Sequence, residues 1–189
     1  MQEYQEGVDA FENGIYLVAF EKWEPLATVG IPDAQHNLGA LYEYGQGVPQ
    51  NYPEAAKWYY RAAEQGHSIA QHNLGVLYAN GQGVPQDYLE AEKWWRRSAE
   101  QRFVPAQIKL GTLYYHGYGV AQDYATAYAW FNLGAAQGDS NGQENRTILA
   151  KQMTAPQIER AQRLFREYYQ KYVVLYQGQR SSQRSAAAC

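Results

Sequence analysis

The stretch Ala70 to Arg102, AQHNLGVLYANGQGVPQDYLEAEKWWRRSAEQR, returns 36 residues earlier as Ala34 to Gly66 and 36 residues later as Ala106 to Gly138. It is identical to the first at 23 of 33 positions and to the second at 16 of 33. A period of this length describes one supersecondary unit too small to bury its apolar face alone, so units must stack on neighbours. Function in such a chain is read from a stacked surface, not from an enclosed pocket.

The 189 residues suffice for one ordinary domain or for about four or five helix pairs. Eighteen Tyr and five Trp against two Met predict helices held by amphipathic aromatic bodies over small Ala and Gly contacts. A net charge of -3 without a basic stripe argues against a nucleic-acid partner. No apolar run approaches the roughly 18 residues of a membrane span, and the opening MQEYQEGVDA is too acidic for a signal peptide. A soluble chain is expected, cytoplasmic as written, or periplasmic if a leader has been removed and replaced by Met1. The one cysteine, Cys189, excludes an intrachain disulfide framework and a cysteine zinc cluster.

Tyr4, Gly7, Val8 and Phe11 predict a first helix that stops at Asn13-Gly14. A second, from Ile15 to about Ala27, carries Ala19, Phe20, Trp23 and Leu26 on one face, with Pro25 predicting a kink or frayed end. Residues 1–30 thus read as an N-terminal capping pair. Three full repeats follow, about 31–66, 67–102 and 103–138. Each opens on an A helix with an apolar stripe such as Ala34, Leu38, Tyr42, flanked by a glycine (Gly39, Gly75, Gly111) that admits a close neighbour. Gly45-Gln46-Gly47-Val48 and its copies predict a structured loop. Asn51, Asp87 and Asp123 stand as N-caps, with Glu54 and Glu90 three residues on completing capping boxes. B helices follow with paired aromatics: Trp58-Tyr59, Trp94-Trp95 and Trp130-Phe131. Residues 139–176 read as a C-terminal capping pair, its last helix opened by Thr154-Ala155-Pro156-Gln157 and running to about Tyr176. Residues 177–189 read as a disordered tail.

Several sharper readings lose to blander ones. The loop glycines follow no strand and precede no Lys-Ser/Thr, so they do not form a phosphate cradle. The paired aromatics recur in register with alanines, which points to core packing before base stacking. His36 and His72 sit one repeat apart, on the order of 10 Å, too far to share an ion easily. No metal or cofactor is expected. No nucleophile stands in a motif with a base.

The pattern A-x-x-x-L-G-x-L-Y-x-x-G-x-G-V-x-x-D-Y-x-x-A-x-x-W resembles the Sel1-like repeat, a relative of the tetratricopeptide repeat. Ala70, Leu74, Gly75, Tyr78, Gly81, Gly83, Val84, Asp87, Tyr88, Ala91, Trp94 and Ala99 stand at family positions. Asn51 replaces the usual Asp, Ala121 the usual Pro, and Arg102 the usual Gly, which predicts a distorted junction there. The resemblance implies an all-α fold, a right-handed α-solenoid of antiparallel helix pairs, acting as a non-enzymatic adaptor for another protein or peptide segment. A cysteine-rich branch of the family is associated with β-lactam binding or hydrolysis, but its cysteine pairs are absent here. A monomer is the simplest expectation.

In a tetratricopeptide-like arrangement the positions beside the core stripe line a groove. Those are His36, Asn37 and Glu43, then His72, Asn73 and Val76, then Lys109, Thr112 and Tyr115. The amides and the amine suit a peptide backbone or carboxylate; equally, the asparagines suit tying down adjacent loops.

Overall fold

The computed structural model describes residues 2–174. The expected helix end at Tyr176, the tail and Cys189 lie outside the described residues. The chain forms two compact units, Met1–Ser98 and Ala99–Cys189. Unit 1 contains α1 (Gln2–Glu12), α2 (Tyr16–Thr28), α3 (Pro32–Tyr44), α4 (Tyr52–Glu64), α5 (Ser68–Asn80) and most of α6 (Tyr88–Glu100). Unit 2 contains α7 (Val104–His116), α8 (Tyr124–Ala136), α9 (Ser140–Ala150) and α10 (Ala155–Tyr169), which continues into a π-helical turn at Gln170–Val174. All described secondary structure is helical; in unit 1 α1 packs on α2, α2 on α3, α3 on α4 and α4 on α5, and in unit 2 α8 packs against α7, α9 and α10.

Alanine and glycine set the packing distance, and aromatic rings fill it. Ala19, Ala27, Ala34, Leu38 and Leu41 are fully buried around Trp23 and Trp58. A Cβ on Gly39 would lie 2.5 Å from the Tyr59 ring, and one on Gly111 2.4 Å from Phe131. Each A-helix glycine is therefore the seat of a B-helix ring, and a side chain there would push the pair apart. The six paired aromatics, Trp58-Tyr59, Trp94-Trp95 and Trp130-Phe131, are buried, as core packing requires.

Helix ends follow the sequence signals with three corrections. The Asn51, Asp87 and Asp123 side chains cap α4, α6 and α8, accepting from Glu54, Glu90 and Thr126 N–H respectively. Glu54 and Glu90 do not close capping boxes, however. The N–H groups of Asn51 and Asp87 donate to the carbonyls of Tyr42 and Tyr78 at 2.8 and 2.9 Å, so neither is left for a glutamate. The glutamates pair with Lys57 and Lys93 instead. α2 continues past Pro25 to Thr28, closed by Val29 N–H on the Pro25 carbonyl at 3.1 Å, so it has no frayed end. Arg102 takes φ 70°, the left-handed conformation that Gly66 and Gly138 adopt, and its N–H bonds the Ala99 carbonyl at 2.9 Å. The turn is thus kept rather than distorted, at a backbone cost of roughly 1–2 kcal/mol.

Candidate functional site

Unit 1 assembles its polar A-helix residues into one network. Asn37 Nδ2 donates to the Tyr4 hydroxyl at 3.2 Å, and Asn37 Oδ1 lies 3.1 Å from His36 Nδ1. His36 Nε2 lies 3.5 Å from Asn73 Nδ2. The neutral Nδ1–H tautomer satisfies both neighbours, donating to Asn37 and accepting from Asn73. The His36 ring stacks on His67, centroids 4.7 Å apart. His67 in turn accepts from Ala70 N–H as the N-cap of α5 and reaches Asp33 at 3.2 Å. Burial, then the neighbouring His67, holds the His36 pKa down to about 4; burial also lowers that of His67. Tyr59 donates to Glu43 at 2.6 Å, and burial followed by that carboxylate pushes its phenol up.

Beside this network an open crevice of about 390 Å³ lies between α1 and α3. Trp23 of α2 forms its floor, Tyr4, Val8, Phe11 and Glu12 one wall, and His36, Asn37 and Ala40 the other. Trp23 Nε1 donates to the Tyr4 carbonyl at 3.2 Å and Phe11 sits 5.8 Å from the indole, so the floor is fixed. Unit 2 holds a crevice of about 160 Å³ between α7 and α9, lined by Thr112, Tyr115, His116, Phe131, Asn145, Ile148 and Leu149. The ring-on-glycine contacts put both in one register: Gly7 under Trp23 corresponds to Gly111 under Phe131. Phe11, Trp23, Asn37 and Ala40 then hold the places of Tyr115, Phe131, Asn145 and Ile148, and Glu12 the place of His116.

The predicted groove residues therefore divide. His36, Asn37, Glu43 and Asn73 come together in unit 1, half-buried and hydrogen-bonded. His72 and Val76 are half-buried on α5. In unit 2 Lys109 is exposed, Thr112 donates to the Ile108 carbonyl at 3.0 Å, and Tyr115 stacks on Tyr124 with centroids 5.5 Å apart. Among the described residues, no group of three or more His, Cys, Asp or Glu is placed to hold a metal ion. No described helix is long and apolar enough to cross a membrane.

Two features escaped the sequence reading. Val8, Phe11 and Trp23 fall out of the A-helix columns because Gly7 stands 32 rather than 36 residues before Gly39; Asn145 and Ile148 keep the period from Lys109 and Thr112, but the helix that carries them lacks the Ala-Gln-x-x-Leu-Gly pattern and reads as a cap. Gln35, Gln71 and Gln107, buried one per repeat, donate to the carbonyls of Ala27, Ala63 and Ala99 and so cap the preceding B helices. Their recurrence after each A-helix alanine was the available signal.

Matches to the Sel1 repeat cover residues 32–67, 68–103 and 104–139, more than half of the chain. The chain belongs to the Sel1 repeat family. Among solved structures, a Sel1 repeat protein from Oxalobacter formigenes is 34% identical with a TM-score of 0.73, over 77% of this chain and 60% of that one. The c5321 protein of uropathogenic Escherichia coli, a protective antigen with an SLR fold, is 30% identical with a TM-score of 0.65, over 95% of this chain and 47% of that one. This Sel1 repeat chain thus spans less than two thirds of either neighbour. Comparison with curated proteins found no match.

Proposed function

We propose that this chain is a non-enzymatic scaffold that binds a segment of another protein along the A-helix faces of its units. Sel1 repeat proteins commonly serve as protein-interaction scaffolds. One observation carries the reading: an open crevice of the same construction, aromatic floor and asparagine rim, occurs in each unit at equivalent positions. It is not an unavoidable product of the repeat, because Tyr59, Glu43 and Asn73 occupy the corresponding place between α3 and α5 with a hydrogen-bonded cluster. On this reading Asn37, Thr112 and Tyr115 touch the partner, and His36, Glu43 and Asn73 shape the wall. His72, Val76 and Lys109 extend the contact face.

A photo-crosslinking side chain at Ala40 or Ile148 tests this in the source cell, with Lys57 and Arg61 on the exposed side of α4 as comparison positions. Crosslinks to another protein are expected from the crevice positions and not from α4. The reverse pattern would place binding on the B-helix surface.

A further inference from the structure

The two crevices are lined from equivalent positions but differ in charge, and the charge of the first says what enters it. α1, α3 and α5 carry Glu3, Glu6, Asp9, Glu12, Asp33 and Glu43 and not a single Lys or Arg. Every Lys and Arg of residues 2–98 lies on α2, α4 or α6. Glu6 pairs with Lys22, Asp33 meets His67, Glu43 accepts from Tyr59 and Asp9 from Gln5. Glu12 is exposed, lines the crevice, and makes no ion pair among the described residues. A carboxylate at the edge of an apolar slot, on helices that carry no Lys or Arg, attracts cationic guests and repels anionic ones, and like-charge juxtaposition excludes wrong partners as contact selects right ones.

The slot itself is built for a side chain. Its indole floor is buried and locked by a hydrogen bond, so a guest meets a preformed slot walled by Val8, Phe11 and Ala40 and does not pay to organise it. Asn37 stands at the rim with one N–H given to Tyr4 and one lone pair turned to His36. An amide has two donors and two lone pairs, so one of each remains for the backbone of a guest. Apolar slot, amide rim and carboxylate then follow one another along one crevice.

We propose that the α1–α3 crevice binds a protein segment in which a bulky apolar side chain is followed within a residue or two by Lys or Arg. The apolar side chain lies over Trp23 between Val8 and Ala40, Asn37 holds the guest backbone, and Glu12 takes the cation. This rests on the scaffold reading above and adds the chemistry of the partner.

The test uses the full 189-residue chain and fluorescein-labelled peptides of the pattern Ser-Gly-Phe-Lys-Lys-Gly-Ser, read by anisotropy at low salt. Companion peptides carry Glu for both Lys, or Ser for the Phe. The parent peptide is expected to bind, and each companion to bind about tenfold or more weakly. Glu12→Lys should weaken the parent by about tenfold and improve the acidic peptide, while Glu21→Lys, an equal charge change on the exposed side of α2, should alter binding less than about twofold. Ala40→Phe, which fills the slot, should abolish binding of the parent, with the thermal melt confirming that the variant folds. Equal binding of acidic and basic peptides, or equal effects of the two charge reversals, would overturn the proposal. Absence of peptide binding alongside crevice crosslinks to a protein in the cell would overturn this chemistry and leave the scaffold reading standing.

Discussion

The crevice of unit 1 and the crevice of unit 2 are made in the same way and furnished differently. Glu12 stands in the first where His116 stands in the second, and Ala40 stands where Ile148 does. Behind the first crevice lies a half-buried polar network, Tyr4, Asn37, His36 and Asn73, while the second is backed by Phe131, Leu149 and the apolar cluster of Ala125, Ala127 and Met153. The ring-on-glycine contact fixes the frame, so backbone and cavity repeat while the lining is free to vary. A repeat of this kind separates the residues that make a site from those that choose its occupant. The two units should accordingly fail under different insults.

The largest difference is expected from truncation. In unit 2, α10 packs on α8, with Ala161 fully buried and Trp130 covered by Tyr168 and Tyr172 at ring distances of 4.8 and 6.0 Å. A chain ending at Met153 exposes that surface, and the loss is large against a typical domain stability of about 5–15 kcal/mol. Hydrogen exchange should show protection lost across α7–α9 and retained across α3–α5. Unchanged protection in α7–α9 would mean that the last helix is no cap, and that unit 2 is stable by its repeats alone.

How much of this was legible in the sequence follows the same division between frame and furnishing. The period, the A-helix glycines, the N-caps and the buried aromatics all announce themselves, because a local rule places each and the repeat states it again. The capping boxes failed because a local rule met a tertiary competitor: the N–H that Glu54 needed is bonded to the Tyr42 carbonyl across the loop. His36 read as a groove residue because its helix position points that way. That it lies under His67, the N-cap of the next A helix, depends on how two repeats meet, which no single repeat encodes. The first crevice was hidden by the shorter spacing of the opening pair.

Acid should strike unit 1 before unit 2. His36 is neutral in the folded chain with a pKa near 4, against an ordinary value of 6.5. The unfolded chain therefore binds the proton more readily between those values. Stability is full above pH 6.5 and is lost as pH falls towards 4, by an amount on the order of 3 kcal/mol at most. His67 is shifted in the same direction and adds to the effect. The groups facing His36 are His67, Asp33, Tyr59, Asn37 and Asn73, and Asp33 is the one counter-charge among them. In unit 2 burial alone would raise Asp123, but hydrogen bonds from Arg160 and Thr126 hold it below its ordinary 3.8. Its contribution is present above that value and disappears only at lower pH. Exchange protection followed from pH 7 to 4 should fall in α3–α5 first, and His36→Gln should flatten that fall. An equal loss in both units, or an acid response untouched by His36→Gln, would show that the stacked histidines do not set it.

The smallest effect compares two aspartates that do the same job in different company. Asp87 caps α6 through the N–H groups of Leu89 and Glu90 at 2.8 and 3.1 Å. Asp123 caps α8 through Ala125 and Thr126 N–H, accepts the Thr126 hydroxyl at 2.8 Å, and receives two guanidinium hydrogen bonds from Arg160 of α10 at 2.9 and 2.8 Å. The Asp87→Ala change should cost about 1 kcal/mol, the usual loss of an N-cap. Asp123→Ala should cost about 1 kcal/mol more, since a half-exposed ion pair adds little by itself but this one joins the capping helix to the repeat in bidentate geometry. A double-mutant cycle with Arg160→Ala isolates the difference. If the coupling between Asp123 and Arg160 is nil and the two alanine variants melt together, the aspartates act only as caps, and α10 is held to α8 by its aromatic and alanine contacts alone.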